Sequence, residues 1–413
     1  MKHLLLGAAL LGSALSCVMA AEDWTEFRGP TGQGHSSAAK LPLEFGPEKN
    51  LTWRQPVAGA GWSSPVIANG RIYLTTATPA EAAGHQSLRV LCMDTASGRP
   101  VWSTEAFDTS ISKVHGKNSQ ASPTPIIDGN RLYVHFGHQG SACLDLAGKV
   151  IWRNSEFAYS PVHGNGGSPI IVGDALFFSC DGSSNPFVIA LNKNTGKELW
   201  RTERKTGASR KFSFSTPLLI TVNDQPQIIS PGSGAVCAYD PKDGREIWRA
   251  RYGEGYSVIP RPVFGHGMIF IGTGYDRPTL MAVRTDGKGD VTDSHVAWTL
   301  TKGAPNTPSA LLVGTELYFV SDGGVASCVD AKTGDVHWQE RVDGSHSASP
   351  LHANGRIYLT SEGGTITVLE AGRTFRVLAQ NKLGERALAS PAVTGDALIV
   401  RTAAHLYRFE SKP

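Results

Sequence analysis

The chain has 413 residues, of which 40% are hydrophobic and 18% charged. That length allows two or three ordinary domains or one large repeat architecture, and the composition excludes a disordered chain and a coiled coil. Lys+Arg at 39 against Asp+Glu at 36 gives a formal net charge of +3, too even for a dedicated nucleic-acid binder, while 46 Gly and 9 Trp point to an all-β repeat with many tight turns and a recurrent aromatic packing position.

Residues 1–20 read as a signal peptide. A short basic start is followed by an apolar run from Leu4 to Val18, too short to cross a bilayer, and Val18-Met19-Ala20 predicts cleavage after Ala20. Export to the periplasm or the medium follows. Lipid anchoring at Cys17, preceded by Ala14-Leu15-Ser16, is the weaker reading. No other stretch is long and apolar enough to span a membrane. Residues 21–50 form an irregular leader.

Cleavage leaves Cys92, Cys143, Cys180, Cys237 and Cys328. There is no CxxC, no CxxCH and no adjacent pair, so zinc-finger and haem motifs are excluded. Cys92, Cys143 and Cys328 stand two residues before the Asp of a strand, where other repeats carry Ala, and serve as small apolar fillers. Cys180 falls in a loop and is the thiol expected to react.

From residue 51 the chain repeats itself. One unit runs Ser122-Pro123-Thr124-Pro125-Ile126-Ile127, the turn Asp128-Gly129-Asn130, Arg131 to Phe136, a Gly-rich turn, Ala142 to Asp145, Gly148-Lys149 and Val150-Ile151-Trp152, which makes four short strands. The Trp recurs as Trp53, Trp102, Trp152, Trp200, Trp248, Trp298 and Trp338, with Leu378 in the eighth place. A Pro-marked first strand recurs at Pro65, Pro123, Pro169, Pro217, Pro262, Pro308, Pro350 and Pro391. The ends are out of phase: Leu51 to Val57 supply a Trp strand with no Pro strand before it, and Pro391 to Phe409 lack a Trp strand. They complete each other. The pattern predicts an all-β, eight-bladed β-propeller over residues 51–410, with four-stranded antiparallel blades and the ring closed by the N-terminal strand.

The strings Asp330-Ala331-Lys332-Thr333-Gly334-Asp335-Val336-His337-Trp338 and Asn192 to Trp200 resemble the tryptophan-docking motif of quinoprotein, or PQQ-like, propellers, and Asp23 to Pro30 resembles the leader of exported bacterial members. The resemblance covers roughly residues 51 to 410 and assigns the seven Trp to packing between blades. The same motif occurs in dehydrogenases and in the propeller scaffold of the outer-membrane barrel-assembly machinery, so it fixes the fold and not the activity.

Chemistry is expected where the loops between blades converge on one face of the channel. Those loops carry His115, Asn118, His163, Asn165, Lys211, Arg261, Asn306 and His346, and the loops between second and third strands add Asp181 and Asp276. Together they would form a ligand-binding rim with imidazoles and cations, suited to an anionic or multiply hydroxylated ligand. The plainer alternative has His115 and His163 satisfying loop backbone groups and both Asp in surface turns. Asp322-Gly323-Gly324 and Glu362-Gly363-Gly364 read as ordinary tight turns. No spacing binds these residues into a metal site.

The leading functional reading is an exported, non-catalytic binding or scaffold propeller, monomeric, whose partner is a protein, peptide or glycan, with no cofactor and no nucleic acid. The alternative carried by the resemblance is a PQQ-dependent dehydrogenase of alcohols or sugars, with PQQ over the channel, a carboxylate base and a calcium ion. The missing Cys pair and the lack of large loop insertions count against it. A hydrolase or lyase using His115 or His163 is a third possibility.

Overall fold

The computed structural model describes residues 23–411, so the expected signal segment and Cys17 lie outside the described residues. Eight antiparallel sheets form eight blades of a β-propeller. Blade 1 consists of Val66–Ala68, Arg71–Pro79, His85–Asp94 and Pro100–Ser110. The first strands of blades 2 to 7 are Ile126–Asp128, Ile170–Val172, Leu218–Val222, Val263–Gly265, Leu311–Val313 and Leu351–Ala353. Blade 8 has Ala392–Thr394, Ala397–Arg401 and His405–Phe409, and its fourth strand is Leu51–Pro56. Leu51 lies opposite Phe409 and Pro56 opposite His405, which closes the ring as the out-of-phase repeat predicts.

Sequence pattern accounts for the layering within a blade. The first strand of blade 1 is buried at every residue because it faces the channel wall and the next blade, whereas the outer strand Glu198–Glu203 carries alternating exposed and half-buried residues along a solvated edge. The hairpin after Val66–Ala68 turns on Asn69 and Gly70 at φ +51° and +70°, two successive left-handed residues whose twist matches the flanking strands. In two blades the sequence marker is out of register. The residue entering the first strand is Pro125 rather than Pro123 in blade 2, and Ala310 rather than Pro308 in blade 6.

The apolar core sits between blades. Leu88, Val90 and Cys92 of blade 1 pack with Leu132, Val134 and Leu144 of blade 2, and similar clusters follow around the ring. The cluster joining blades 7, 8 and 1 also takes Trp24, Leu41 and Phe45 from the leader. Six indoles, those of Trp53, Trp102, Trp152, Trp200, Trp298 and Trp338, donate to a backbone carbonyl of the next blade at 2.9 to 3.2 Å. Trp248 differs. The turn in blade 5 is enlarged by the short helix Thr292–His295, the segment Gly289–Asp290 pairs alongside Trp248, and the indole donates to Gln227 of its own blade.

All five described cysteines are free and buried. Cys180 is a correction: it ends the strand Ala175–Cys180 instead of sitting in a loop, and burial pushes its thiol well above the ordinary range. Burial raises Cys92 and Cys143 to about 11 as well. The folded protein should therefore show no rapidly labelled thiol with a disulfide reagent at pH 8, and all five should label after denaturation. Fast labelling of Cys180 alone would overturn this placement.

Two buried histidines, His135 and His346, and the half-buried His35 are held as neutral rings. Burial lowers His135 to about 3, with His138 adding to the effect, and lowers His346 and His35 to about 4. A ring whose pKa is depressed by folding contributes stability above its unfolded value, near 6.5, and loses it as pH falls toward the folded value. The melting temperature should drop between pH 6.5 and 4. His135 packs at a tilt against Phe178, with ring centroids 4.2 Å apart. His135→Phe should therefore flatten that slope, and an unchanged slope would remove His135 from the account.

Candidate functional site: a hydroxyl-lined cup closed by the leader

The residue that precedes the entry position of each first strand is Ser64, Thr124, Ser168, Thr216, Arg261, Ser309, Ser349 and Ser390 in blades 1 to 8. Because first strands of adjacent blades lie side by side, these residues form a ring around the channel. Backbone N–H groups of Ser64, Thr124 and Ser168 donate to the hydroxyls of Thr124, Ser168 and Thr216 at 3.0, 2.9 and 2.9 Å. Those of Arg261, Ser309 and Ser349 donate to the hydroxyls of Ser309, Ser349 and Ser390 at 2.9, 3.0 and 2.9 Å. Each hydroxyl thus satisfies a buried donor of the blade before it. The repeating Ser/Thr before Pro carries this signal in the sequence, and reading the Pro alone misses it.

Arg261 breaks the ring for a purpose. Its side chain turns to the leader, donating to Phe27 O at 2.5 Å, Glu26 Oε2 at 2.8 Å and Pro217 O at 3.0 Å. The leader crosses the end of the channel. Trp24 exchanges backbone bonds with Ile67, Thr25 O accepts from Ile127, and Arg28 donates to Ala310 O at 2.7 Å. Farther on, Phe264 N donates to Gln33, and His35–Ser36 runs parallel to His352–Ala353. Residues 24–36 therefore touch first strands of blades 1, 2, 5, 6 and 7. What looks irregular in sequence is a cross-brace.

Above this brace opens a cup of about 280 Å³. Ser64, Thr124, Ser168, Thr216, Ser309, Ser349 and Ser390 line it, with Phe27 contributed by the leader and Trp62, Phe214, Tyr256 and Tyr275 contributed by the wall. Because the leader's partners lie farther along the first strands than the hydroxyls do, Phe27 forms the floor.

Three of the residues expected at the rim line the cup: His115, Asn118 and His163. Asn118 Nδ2 donates to His163 O at 2.8 Å, and the two imidazoles meet edge to face at 5.4 Å. Burial, then the neighbouring His115, lowers the His163 pKa, which disfavours its charged form. Lys117, which the sequence reading passed over, also lines the cup and pairs at 2.7 Å with Glu362 of blade 7.

The other seven residues stand elsewhere, each for a physical reason. Arg261 is spent on the leader. Asn165 accepts from Tyr159 Oη at 2.7 Å. Lys211 borders a separate depression with Arg204 and Thr206. Asn306 contributes its backbone N–H to Asp322 at 2.7 Å, and only its neighbour Thr307 faces the cup. His346 is fully buried. Asp181 lies buried 3.1 Å from Arg204, where burial drives its carboxyl up to about 6 while the guanidinium pulls it down. Asp276 is exposed, 3.1 Å from Arg210. Conversely, the supposed plain turns have tasks: Asp322 holds Thr307 through its backbone and hydroxyl, and Glu362 accepts from Ser347 at 2.6 Å as well as from Lys117.

A repeat-family profile described as "Outer membrane protein assembly factor BamB" matches residues 47–185, 184–311 and 290–410. The chain belongs to this family. It is similar to the outer membrane protein assembly factor BamB of Shewanella oneidensis, 23% identical over 298 residues that cover 67% of this chain and 71% of that protein. It is also similar to the quinoprotein ethanol dehydrogenase of Pseudomonas aeruginosa, 28% identical over 172 residues, which cover 38% of this chain and 26% of that enzyme. The solved structure of BamB from Moraxella catarrhalis shares the fold with a TM-score of 0.64 at 13% identity, over 88% of this chain and 97% of that one.

The quinone cofactor implied by the resemblance to quinoprotein dehydrogenases would ask for a calcium ion and a free carboxylate beside it, and the cup does not fit that group. Glu362 and Asp322 are spent on loop contacts, and Asp276, which accepts from Tyr256 Oη at 3.2 Å, is paired with Arg210. Among the described residues no group of three or more His, Cys, Asp or Glu is placed to hold a metal. The cup's lining is dominated by hydroxyls and aromatic rings, with His115, Lys117, Asn118 and His163 on one side and no carboxylate.

Proposed function

We propose that the protein is an exported, non-catalytic binding propeller of the scaffold type, acting outside the cytoplasm, with the cup at the channel mouth as its ligand site. The observation that carries this reading is the cup's chemistry: hydrogen-bonding hydroxyls and aromatic faces around a floor fixed by the leader, with no unspent carboxylate base. Such a surface binds without needing a reactive group, as small-ligand sites with a few convergent polar groups do. The names of the assembly-factor relatives support a scaffold role, and partners there are proteins; among the described residues no helix is long and apolar enough to cross a membrane.

The test is a dye-reduction assay on the purified chain with PQQ and calcium added, over a panel of alcohols and sugars. No turnover above the protein-free control is expected. Substrate-dependent dye reduction that disappears in a Ser168→Ala/Ser349→Ala variant would replace this reading with the dehydrogenase.

A further inference from the structure

We propose that the ligand of the cup carries an oxyanion, a carboxylate or phosphate group that seats on the hydroxyl ring. This rests on the reading of the cup as a binding site and names the chemistry it selects.

The argument starts from the direction of the ring's hydrogen bonds. Thr124, Ser168, Thr216, Ser309, Ser349 and Ser390 each accept a backbone N–H from the preceding position. A hydroxyl has one proton to give and two lone pairs to offer. Accepting from the wall engages a lone pair and leaves the proton, and none of these six hydroxyls donates to any group among the described residues. The hydroxyl of Ser64, the seventh, has no hydrogen-bond partner among the described residues.

All seven line the cup and all are buried, at most 7% exposed, so their protons are directed at whatever occupies it. Because the polarity repeats with the blades, the ring is rich in donors. Each sugar hydroxyl brings a proton that also needs an acceptor, and one lone pair of each of the six ring hydroxyls is already engaged by the wall. An oxyanion brings only acceptors, and bonds from hydroxyls to a charged acceptor are stronger than to a neutral one.

The charges around the mouth permit this. Lys117 lines the cup, and its partner Glu362 is also bonded to Ser347. Asp322 accepts three bonds from Asn306 and Thr307, and the Arg386 guanidinium lies 5.6 Å from the Trp62 ring centroid. No carboxylate side chain lines the cup, and those behind its lining residues, Glu362, Asp322 and Asp276, are engaged by Lys117, Thr307 and Arg210.

The experiment titrates the full chain at pH 7.5 with citrate, inorganic phosphate and maltotriose, by calorimetry and by Trp fluorescence, and soaks crystals in arsenate. Citrate or phosphate should bind, the stronger of the two showing which oxyanion is preferred, and arsenic should lie against the ring. Ser64→Ala removes one donor without costing a backbone bond and should weaken oxyanion binding several-fold. The Ser64→Ala/Ser168→Ala/Ser349→Ala variant should weaken it more than tenfold. Tighter binding of maltotriose than of either oxyanion overturns the inference and leaves the binding reading standing. Absence of binding by all three probes, or arsenic found only away from the ring, also overturns it. The dye-reduction assay judges the broader reading independently.

Discussion

Deletion of residues 23–57 should abolish cooperative unfolding of the propeller. This segment supplies the fourth strand of blade 8, whose register runs from Leu51 opposite Phe409 to Pro56 opposite His405. Without it, His405–Phe409 becomes an unpaired edge in the middle of the ring seam, the place where such edges invite slippage and aggregation. The same deletion removes Trp24, Phe45 and Trp53 from the cluster that binds blades 7, 8 and 1. Truncating a single buried aromatic costs about 3–5 kcal/mol, and a whole domain has only about 5–15 kcal/mol to lose. Arg261 would also be stranded, since Glu26 and the Phe27 carbonyl are its partners on the leader and an uncompensated buried cation is strongly destabilising. Guanidinium unfolding followed by far-UV circular dichroism and by Trp fluorescence checks this. A single coincident transition at the wild-type midpoint would show that the seam closes without the segment.

How much of this was legible beforehand depends on what repeats. The blades announce themselves because every unit must bury a similar face, so Trp102, Trp152 and Trp200 recur in phase and the missing strand at each end exposes the closure. The cup is less legible, since its components repeat for a structural reason and act through a geometric one. Ser168 and Ser349 look like residues that happen to precede Pro until the bonds between blades show that each hydroxyl accepts a backbone N–H and keeps its own proton to give. The rim residues are hard to read for a different reason. Arg261, Asp181 and His346 lie in loops at the expected end of the first strands, but sequence does not say whether a loop side chain turns to the axis or into the wall. Arg261 turned toward Glu26, Asp181 toward Arg204, and His346 into a fully buried site. Nor does sequence register a pair such as Lys117 and Glu362, formed between blades 2 and 7 across the mouth.

The second large effect belongs to the contact that holds one blade to the next. Trp152→Ala should lower stability by about 3–5 kcal/mol, the usual cost of emptying the volume of a buried aromatic. The indole ring lies over the turn of the following blade, its Nε1 donating to Lys193 O at 2.9 Å. A Cβ added to Gly196 would stand 2.6 Å from the ring, and Gly196 itself sits at φ +73°. Gly196→Ala therefore combines a backbone penalty with a clash against a side chain that cannot retreat, because it is wedged between two sheets. Gly129 separates the two effects. It has φ +56° but open space around its missing Cβ. Gly129→Ala should then cost only the left-handed penalty, about 1–2 kcal/mol, and Gly196→Ala distinctly more. In the background of Trp152→Ala the excess at Gly196 should vanish, leaving a cost equal to that at Gly129, since the atom it collides with is gone. Chemical denaturation of the four variants measures each difference. An excess at Gly196 that persists without the indole would mean that the turn, and not the docked ring, sets the cost.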